Sequence, residues 1–222
     1  MNKKGIFIVI EGGEGTGKDA QIDLLKKVYE DRDIVFTREP GGTEIGEKIR
    51  ELLLSKTSSK MSAETELLLF LGARAQIVRE IIAPALCAGK MVISNRFGLS
   101  TAAYQIYGRE RLYYEKFLQE VSDVVVQASM PDLYILIDVD PKIGLARVAS
   151  RAKENDRFDD EKISFHSRVR QGYLESVKKT KNYVIINGEK SIEDIHKEIL
   201  EIIEDAQNNI IVDSSAVCAM VN

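Results

Sequence analysis

The sequence predicts an α/β fold: a doubly wound, five-stranded parallel sheet flanked by helices. Two observations lead to this prediction. Five short runs are rich in β-branched and other apolar residues, without the alternation that a half-exposed strand shows. Between these runs lie segments in which apolar residues recur at helical spacing. Strands that are apolar on both faces and alternate with helices are typical of a parallel sheet covered on both sides.

The predicted strands cover residues 6–10, 34–37, 91–94, 133–139 and 183–186. The predicted helices cover roughly residues 17–31, 44–54, 62–88, 99–106, 110–128, 141–152, 160–178 and 191–207. Pro84 lies in the third of these helices and is expected to kink or end it, because proline removes a backbone donor. We assign all of these elements to one domain, residues 1–207.

Two segments differ from this pattern. Residues 150–162, SRAKENDRFDDEK, are almost wholly charged, and they predict a short charged lid that buries little and moves at the surface. Residues 208–222 contain apolar residues without a clear period and form a C-terminal tail whose role the sequence does not indicate.

Composition limits the classes of function. The chain has 222 residues and a formal net charge of -4, which argues against a nucleic-acid partner. The apolar run near the N-terminus ends at Glu11 and is too short for a secretion signal or a membrane span, so no membrane partner is expected. Cys87 and Cys218 fit neither a metal-binding nor a disulfide spacing, which favours unpaired cysteines and a cytoplasmic location.

A glycine-rich loop follows the first predicted strand and opens the first predicted helix. It reads GGEGTGK, the P-loop pattern, in which glycines let the backbone approach phosphates and successive N–H groups form an anion nest. An ordinary glycine-rich turn is the alternative, but the strand-to-helix context favours phosphate binding. The predicted ATP-binding residues are Gly12, Gly13, Glu14, Gly15, Thr16, Gly17, Lys18 and Asp19.

Asp19 departs from the P-loop pattern, which has Ser or Thr after the lysine to place a hydroxyl on Mg²⁺. A carboxylate is also a suitable ligand for Mg²⁺. A negative charge equally suits the first turn of a helix, so the sequence leaves both interpretations of Asp19 open.

Two further stretches resemble one family of kinases. Residues 38–43, REPGGT, follow the second predicted strand, and residues 95–105, NRFGLSTAAYQ, follow the third. They resemble the REPGGT and DR(Y/H)xxS…AYQ motifs of thymidylate kinases, and the resemblance extends from about residue 4 to about residue 205. It implies an ATP-dependent nucleoside-monophosphate kinase that uses Mg²⁺ to move the γ-phosphate of ATP onto dTMP, for dTTP synthesis. It also implies a homodimer formed through helices of the region 62–88 and 110–128.

The resemblance assigns roles in the acceptor site. Arg38, Arg50 and Arg96 would bind the acceptor phosphate, and Glu14 would contact the sugar. Tyr104 would pack against the sugar and leave no room for a 2′-hydroxyl group.

The base site implied by the resemblance begins with Phe70 and Arg74, which lie one helical turn apart. The aromatic ring would stack on a pyrimidine, and the guanidinium would donate to a carbonyl oxygen of the base. Ser100, Thr101 and Gln105 would line the edge of the base.

Gly15 stands where some members of the family carry an arginine, whereas other members supply arginines from the lid. Arg147, Arg151 and Arg157 are available in or before the charged segment. We favour Arg151 and Arg157 as the arginines that contact the transferred phosphoryl group. The alternative is that the segment is a run of solvated charges without this role. The predicted catalytic residues are Lys18, Arg96, Arg151 and Arg157.

Asn95 is a second departure, because the family has Asp at this position. We hypothesise that a carboxylate gained at Asp19 compensates for the one lost at Asn95, with both residues near Mg²⁺. Two alternatives stay open. In the first, the acceptor is another deoxypyrimidine monophosphate, since one methyl group on the base gives only ~1–3 kcal/mol of discrimination between acceptors. Otherwise the chain is a catalytically weak nucleotide-binding protein with an altered metal site.

Overall fold

The computed structural model describes residues 5–150, 155–209, 217–218 and 221. Within these residues the chain forms one parallel sheet of five strands in the order β2-β3-β1-β4-β5. The strands are β1 (Phe7–Glu11), β2 (Ile34–Arg38), β3 (Met91–Asn95), β4 (Leu133–Asp138) and β5 (Tyr183–Asn187). The predicted fold class is confirmed, and every predicted strand lies within one residue of its observed bounds at either end.

The helices surround this sheet and join its strands. They are α1 (Lys18–Val28), α2 (Glu44–Leu54), α3 (Ala63–Ile77), α4 (Ala83–Cys87), α5 (Gly98–Thr101), α6 (Glu115–Val126), α7 (Pro141–Ser150), α8 (Ile163–Val177) and α9 (Ile192–Asn209). Side-chain caps begin several of them; for example, Thr43 accepts from the Gly46 N–H in α2, and Ser62 accepts from the Thr65 N–H in α3.

Two predicted helices are interrupted by π-helical turns. Val78–Ile82 separates α3 from α4, and Ala102–Gly108 follows α5. At the first turn the Ala83 N–H donates to the Val78 oxygen, a bond that spans five residues rather than four. Pro84, which has no N–H, lies in the first turn of α4. The regular α-helix therefore ends before Pro84, as its position predicted.

The core lies on both faces of the sheet, as strands of this composition require. On one face Phe7 and Val9 pack with Phe97 and other side chains, and on the other face Ile8 and Ile10 pack with Leu25 and helix α9. Register aligns the carboxyl ends of three strands, because Asn95 pairs with both Ile10 and Arg38. Ligands of open parallel sheets bind at this edge.

The prediction that the cysteines are unpaired is wrong. Cys87, the last residue of α4, forms a disulfide with Cys218 across a sequence separation of 131. Neighbouring Val217 is buried in the same core layer as α4, so this part of the tail packs against the domain. Spacing along the chain carries no information about such a distant contact. In the portion of the chain that the structure describes, no helix is both long enough and apolar enough to cross a bilayer.

Candidate active site

A cleft of about 1550 Å³ opens at the carboxyl edge of the sheet. It brings together the predicted phosphate-binding loop and most of the predicted acceptor site. The predicted residues that line it are Glu14, Gly15, Thr16, Gly17, Lys18, Asp19, Arg38, Arg50, Phe70, Asn95, Arg96, Ser100, Tyr104 and Gln105. Arg74 and Thr101 lie behind its wall, and both are buried.

Lys18 begins α1 and folds back over the loop that precedes it. Its ammonium group donates to the Gly12 oxygen (2.8 Å), the Gly13 oxygen (2.7 Å) and the Thr16 hydroxyl (3.1 Å). Burial, followed by the positive charge of Arg96, lowers the pKa of Lys18 to about 7. The Lys18 amine is therefore held at the loop, and a bound anion would stabilise its charged form.

Gly15 leaves no room for a side chain. Its φ is +68°, and a Cβ built there would lie less than 3.0 Å from the Gly144 oxygen of α7. The reverse contact is equally close, since a Cβ on Gly144 would meet the Glu14 oxygen. Helix α7 thus packs directly on the loop, and an arginine at position 15 is excluded by this packing.

Arg96 follows β3 and sits at the centre of the acceptor end of the cleft. Its φ of 73° is rare for a residue with a side chain and indicates a conformation held by its surroundings. The guanidinium donates to Glu14 (2.7 Å) and to the Tyr173 hydroxyl (2.7 Å), and Tyr104 lies beside it at 3.2 Å. Arg96, the predicted phosphate-binding residue, is therefore fixed in place.

Glu14 accepts hydrogen bonds from Arg96 and from the Tyr104 hydroxyl, each at 2.7 Å. Burial opposes ionisation of the carboxyl group, but the charges of Arg96 and Lys18 and the Tyr104 hydrogen bond lower its pKa to about 2. Glu14 is ionised at neutral pH. It joins the phosphate-binding loop to the acceptor end of the cleft.

Two further arginines face the cleft from the REPGGT turn and from α2. Arg38 bonds to Glu47 at 2.9 Å, and Arg50 donates to the Pro40 oxygen at 2.8 Å. Burial, followed by the charge of Arg38, lowers the pKa of Arg50. With Arg96 these side chains make one end of the cleft cationic, which suits a phosphate.

The base site combines aromatic rings with two buried polar groups. Phe70 and Tyr104 line the cleft together with Phe158, whose ring centroid lies 6.2 Å from that of Phe70 and 5.7 Å from that of Tyr104. Arg74 is 1% exposed and pairs with Glu39 at 2.6 Å. The second polar group is Gln105, which also lines the cleft.

One polar atom on each of these two residues is buried without a hydrogen-bond partner in the part of the chain that the structure describes. The atoms are Arg74 Nη1, a donor, and Gln105 Oε1, an acceptor. Buried polar groups are normally satisfied, so such atoms point to a ligand. Thr101 supports this arrangement from behind, since its hydroxyl accepts from Arg74 Nη2 at 2.8 Å.

Asn95 and Asp19 meet at the end of the phosphate-binding loop. The Asn95 amide donates to the Asp19 carboxylate at 2.6 Å, which leaves Asn95 Oδ1 as a buried acceptor with no partner within the described residues. No group of three or more His, Cys, Asp and Glu side chains suited to a metal occurs in those residues. Asp19 and Asn95 offer oxygen atoms of the kind that Mg²⁺ prefers, and Mg²⁺ often needs no more protein ligands than these.

Comparison with known proteins agrees with this geometry. The family model described as thymidylate kinase matches residues 10–199. The chain belongs to the thymidylate kinase family. Thymidylate kinases from Maridesulfovibrio salexigens and Fervidobacterium nodosum are 43% and 41% identical to it; their alignments cover 87% and 89% of this chain and 93% and 98% of the relatives. A crystal structure of thymidylate kinase from Ehrlichia chaffeensis superposes with a TM-score of 0.71 at 30% identity, covering 90% of this chain and 99% of that one.

Only one of the two lid arginines predicted to be catalytic in this thymidylate kinase family member, Arg157, lies within the described residues. Arg157 pairs with Glu66 at 2.6 Å and is not among the residues that line the cleft, whereas Arg147 lines the cleft and donates to the Gly188 oxygen at 2.8 Å. Arg151 lies outside the described residues. Phe158 and Asp159 are buried, so this part of the charged segment is not the wholly exposed surface that its composition predicted.

Ser100, which is predicted to line the edge of the base, accepts a hydrogen bond from Arg96 at 3.2 Å. Its hydroxyl donates to Glu11 at 2.6 Å and meets the Tyr173 hydroxyl at 2.7 Å. Glu11 also accepts from the Phe97 N–H at 2.8 Å, so this buried carboxylate holds the turn that carries Arg96. Ser100 therefore supports Arg96 in the thymidylate kinase site.

Several residues of the site were not identified from the sequence. They are Glu11, Glu39, Glu66, Phe158 and Tyr173. Glu11 and Glu39 carried a usable signal, because each is a charged residue at the end of a strand otherwise made for the interior. Glu66, Phe158 and Tyr173 belong to helical or charged segments in which their types are common, and only tertiary contacts distinguish them.

Proposed function

We propose that this chain transfers the γ-phosphate of ATP to dTMP and releases dTDP and ADP. The observation that carries this proposal is a pair of buried atoms without a hydrogen-bond partner among the described residues, one on Arg74, a helical turn from Phe70, and one on Gln105, which lines the cleft. Thymine presents O4 as an acceptor and N3–H as a donor, which complement Arg74 Nη1 and Gln105 Oε1. Cytosine presents the opposite pattern, an N4 donor and an N3 acceptor, and would leave both buried groups unpaired.

The acceptor phosphate would bind between Arg38, Arg50 and Arg96. Arg96 is fixed by Glu14 and Tyr173, so it would hold the attacking oxygen in line with the donor without further ordering. Phosphoryl transfer needs little covalent chemistry from the protein, and positioning with charge neutralisation accounts for most of the acceleration. Tyr104, hydrogen-bonded to Glu14, would crowd a 2′-hydroxyl and favour a deoxyribose.

The donor phosphates would bind the P-loop, residues 12–18, with Lys18 at the β- and γ-phosphates. Lys18 would exchange its contacts with the Gly12 and Gly13 oxygens for phosphate oxygens. Among the described arginines of α7 and the charged segment, Arg147 lies nearest the loop, and we propose it as a donor-site residue. To act as a catalytic residue, Arg157 would have to break its ion pair with Glu66. The catalytic role of Arg151 is proposed from the sequence alone.

Mg²⁺ is the proposed cofactor, and the residues present fit it. Asp19 and Asn95 would hold the ion with the donor phosphates, through one carboxylate and one amide oxygen. The bound ion would neutralise charge on the transferring phosphoryl group. The Asn95 amide holds the Asp19 carboxylate in place for that task.

We also propose a homodimer and a cytoplasmic location. Support for the homodimer comes from α3 and α6, which pack together yet expose Leu68, Phe117 and Val124. The proposal of a cytoplasmic location rests on the use of ATP and dTMP alone, because the disulfide between Cys87 and Cys218 removes the support that unpaired cysteines gave it. Nucleic acid and membrane are not proposed as partners.

The test is a coupled ADP-release assay with ATP and Mg²⁺ against dTMP, dUMP, dCMP, dGMP and UMP. We expect the highest kcat/KM with dTMP. We expect dUMP to be poorer by about 10–200-fold, the range that one methyl group gives, and dCMP to be poorer than dUMP. Tight ATP binding without turnover on any acceptor would overturn the proposal and favour a nucleotide-binding protein without kinase activity.

A further inference from the structure

A buried carboxylate lies directly behind the base site. Glu66, on α3, is 1% exposed and accepts from Gln105 Nε2 at 3.0 Å, from Arg109 Nε and Nη2 at 3.1 Å each, and from Arg157 Nη1 at 2.6 Å. Arg109 also pairs with Glu161. We refer to Glu66, Gln105, Arg109, Arg157 and Glu161 as the Glu66 cluster. It contains two carboxylates and two guanidinium groups, so its charges balance.

The contact between Glu66 and Gln105 determines which end of an amide faces the ligand. A glutamine amide can present either its NH₂ group or its oxygen, and the two ends have nearly the same shape. An ionised carboxylate only accepts hydrogen bonds, so the NH₂ group of Gln105 must face Glu66. Gln105 lines the cleft, and its oxygen, which is buried and has no partner among the described residues, is the amide atom left for a ligand.

Glu66 stays ionised because of its partners. Burial opposes ionisation, but the hydrogen bond and charge of Arg109, together with Gln105 and Arg157, lower the pKa of Glu66 below its usual value. The carboxyl group therefore does not act as a donor at neutral pH. The two arginines also hold it in position, so the orientation of the Gln105 amide does not depend on the ligand.

We propose that Glu66 is a positioning residue that sets specificity for the base by fixing the Gln105 amide with its oxygen towards the cleft. The inference rests on the proposed function and deepens it. An oxygen at this place accepts from the N3–H of thymine or uracil, and it opposes the N3 lone pair of cytosine. Glu66 does not line the cleft, so it acts through Gln105.

The same cluster reaches the charged segment. Arg157 Cζ lies 4.5 Å from the centroid of the Phe158 ring, and Arg109 Cζ lies 5.7 Å from it. The Phe158 ring in turn lies 6.2 Å from the Phe70 ring, measured between their centroids. A change at Glu66 that only loosened this packing would weaken binding of every pyrimidine alike, and this outcome separates a structural role from the proposed one.

The decisive variant is Glu66→Gln, in which the new amide can donate as well as accept. The Gln105 amide is then free to turn and present its NH₂ group to the cleft. We expect kcat/KM for dTMP to fall about tenfold and the ratio of kcat/KM for dTMP to that for dCMP to fall by at least about tenfold. An equal loss for both acceptors, with the ratio unchanged, would overturn the inference.

Two controls accompany this variant. Glu161→Gln removes the other carboxylate bound by Arg109 but leaves the bond between Glu66 and Gln105, so the ratio should stay within about twofold of the wild type. Glu66→Asp keeps a group that only accepts, and it should retain the ratio even where the overall rate falls. A Glu66→Asp protein whose ratio collapses like that of Glu66→Gln would contradict the proposal.

If Glu66→Gln proves unstable, Gln105→Leu carries the test, because it removes the group through which Glu66 acts: the dTMP to dCMP ratio should fall by at least about tenfold, and an unchanged ratio would overturn the inference. If Glu66→Gln folds, a double variant checks the route. In a Gln105→Leu background the residue through which Glu66 acts is gone, so adding Glu66→Gln should leave the dTMP to dCMP ratio unchanged. A further change in that ratio would show that Glu66 acts by another route. Failure of the wild type on dTMP would reject the proposed function; an active wild type with an unchanged ratio in Glu66→Gln would reject only this inference.

Discussion

At the scale of single residues, Asp19 and Asn95 both depart from the family motifs, and they touch. A carboxylate at position 19 faces an amide at position 95, with 2.6 Å between them. The usual pairing in the motifs, a hydroxyl with a carboxylate, carries the same single negative charge. The contact therefore supports the compensation hypothesis, because the charge is kept and only its position differs.

Separating the pair tests this compensation. We predict that Asp19→Ser lowers activity and Mg²⁺ affinity by about tenfold or more, since only neutral oxygen ligands remain. Asn95→Asp alone should also be harmful, because it places two carboxylates in contact. The double variant should recover part of both losses. Mn²⁺ binding in the presence of ATP gives a readout besides turnover, and an unchanged metal dependence in Asp19→Ser would contradict the hypothesis.

Lys18 gives a prediction about pH. Its pKa of about 7 in the free protein means that the amine loses its charge as the pH rises above this value. We expect kcat/KM for ATP to decrease from about pH 7 upward, because this parameter reports the free enzyme. The decrease in kcat at saturating ATP should begin at a higher pH than the decrease in kcat/KM, since bound phosphates stabilise the ammonium form of Lys18. A flat profile of kcat/KM for ATP between about pH 6 and pH 9 would contradict this prediction.

At the scale of elements, the packing of α7 on the P-loop links two glycines that are far apart in sequence. Gly144→Ala would place a Cβ less than 3.0 Å from the Glu14 oxygen. We predict a loss of about 1–3 kcal/mol in the free energy of unfolding and a higher KM for ATP, because backbone cannot yield as a side chain can. Denaturant unfolding and steady-state kinetics measure both effects.

Gly72→Ala is the matched control for that variant. Gly72 also lies within a helix, α3, but a Cβ there meets nothing within 4 Å. Helix propensity alone should stabilise it by about 0.5–1 kcal/mol and leave KM for ATP unchanged. If Gly144→Ala behaved like Gly72→Ala, close packing of α7 on the loop would not be what holds the loop in shape.

Some elements could be predicted from the sequence and others could not. The strands were predictable because burial on both faces leaves a continuous apolar run, as in residues 6–10. The P-loop and REPGGT turn were predictable because backbone geometry restricts their residue types. The partner of Arg157 and the pairing of Cys87 with Cys218 depend on contacts distant in sequence, which local patterns do not contain.

At the scale of the whole molecule, the outer surface of α3 and α6 bears on the proposed homodimer. These helices bury Leu67, Leu71 and Leu118 between them. On α6, Phe117 and Val124 lie seven residues apart on one face and are 39% and 70% exposed, and Leu68 on α3 is 55% exposed. Large apolar side chains at this density are typical of a surface that another protein covers.

We predict that the wild type sediments as a dimer at micromolar concentration and that Val124→Glu shifts it to a monomer. A buried carboxylate without a partner on each side of the interface costs several kcal/mol, enough to raise the dissociation constant at least about 100-fold. Val28→Glu is the control, because Val28 on α1 is 51% exposed and lies away from both helices. Analytical ultracentrifugation distinguishes the outcomes: a wild type that stays monomeric, or a Val28→Glu protein that dissociates equally, would rule out this face as the dimer interface.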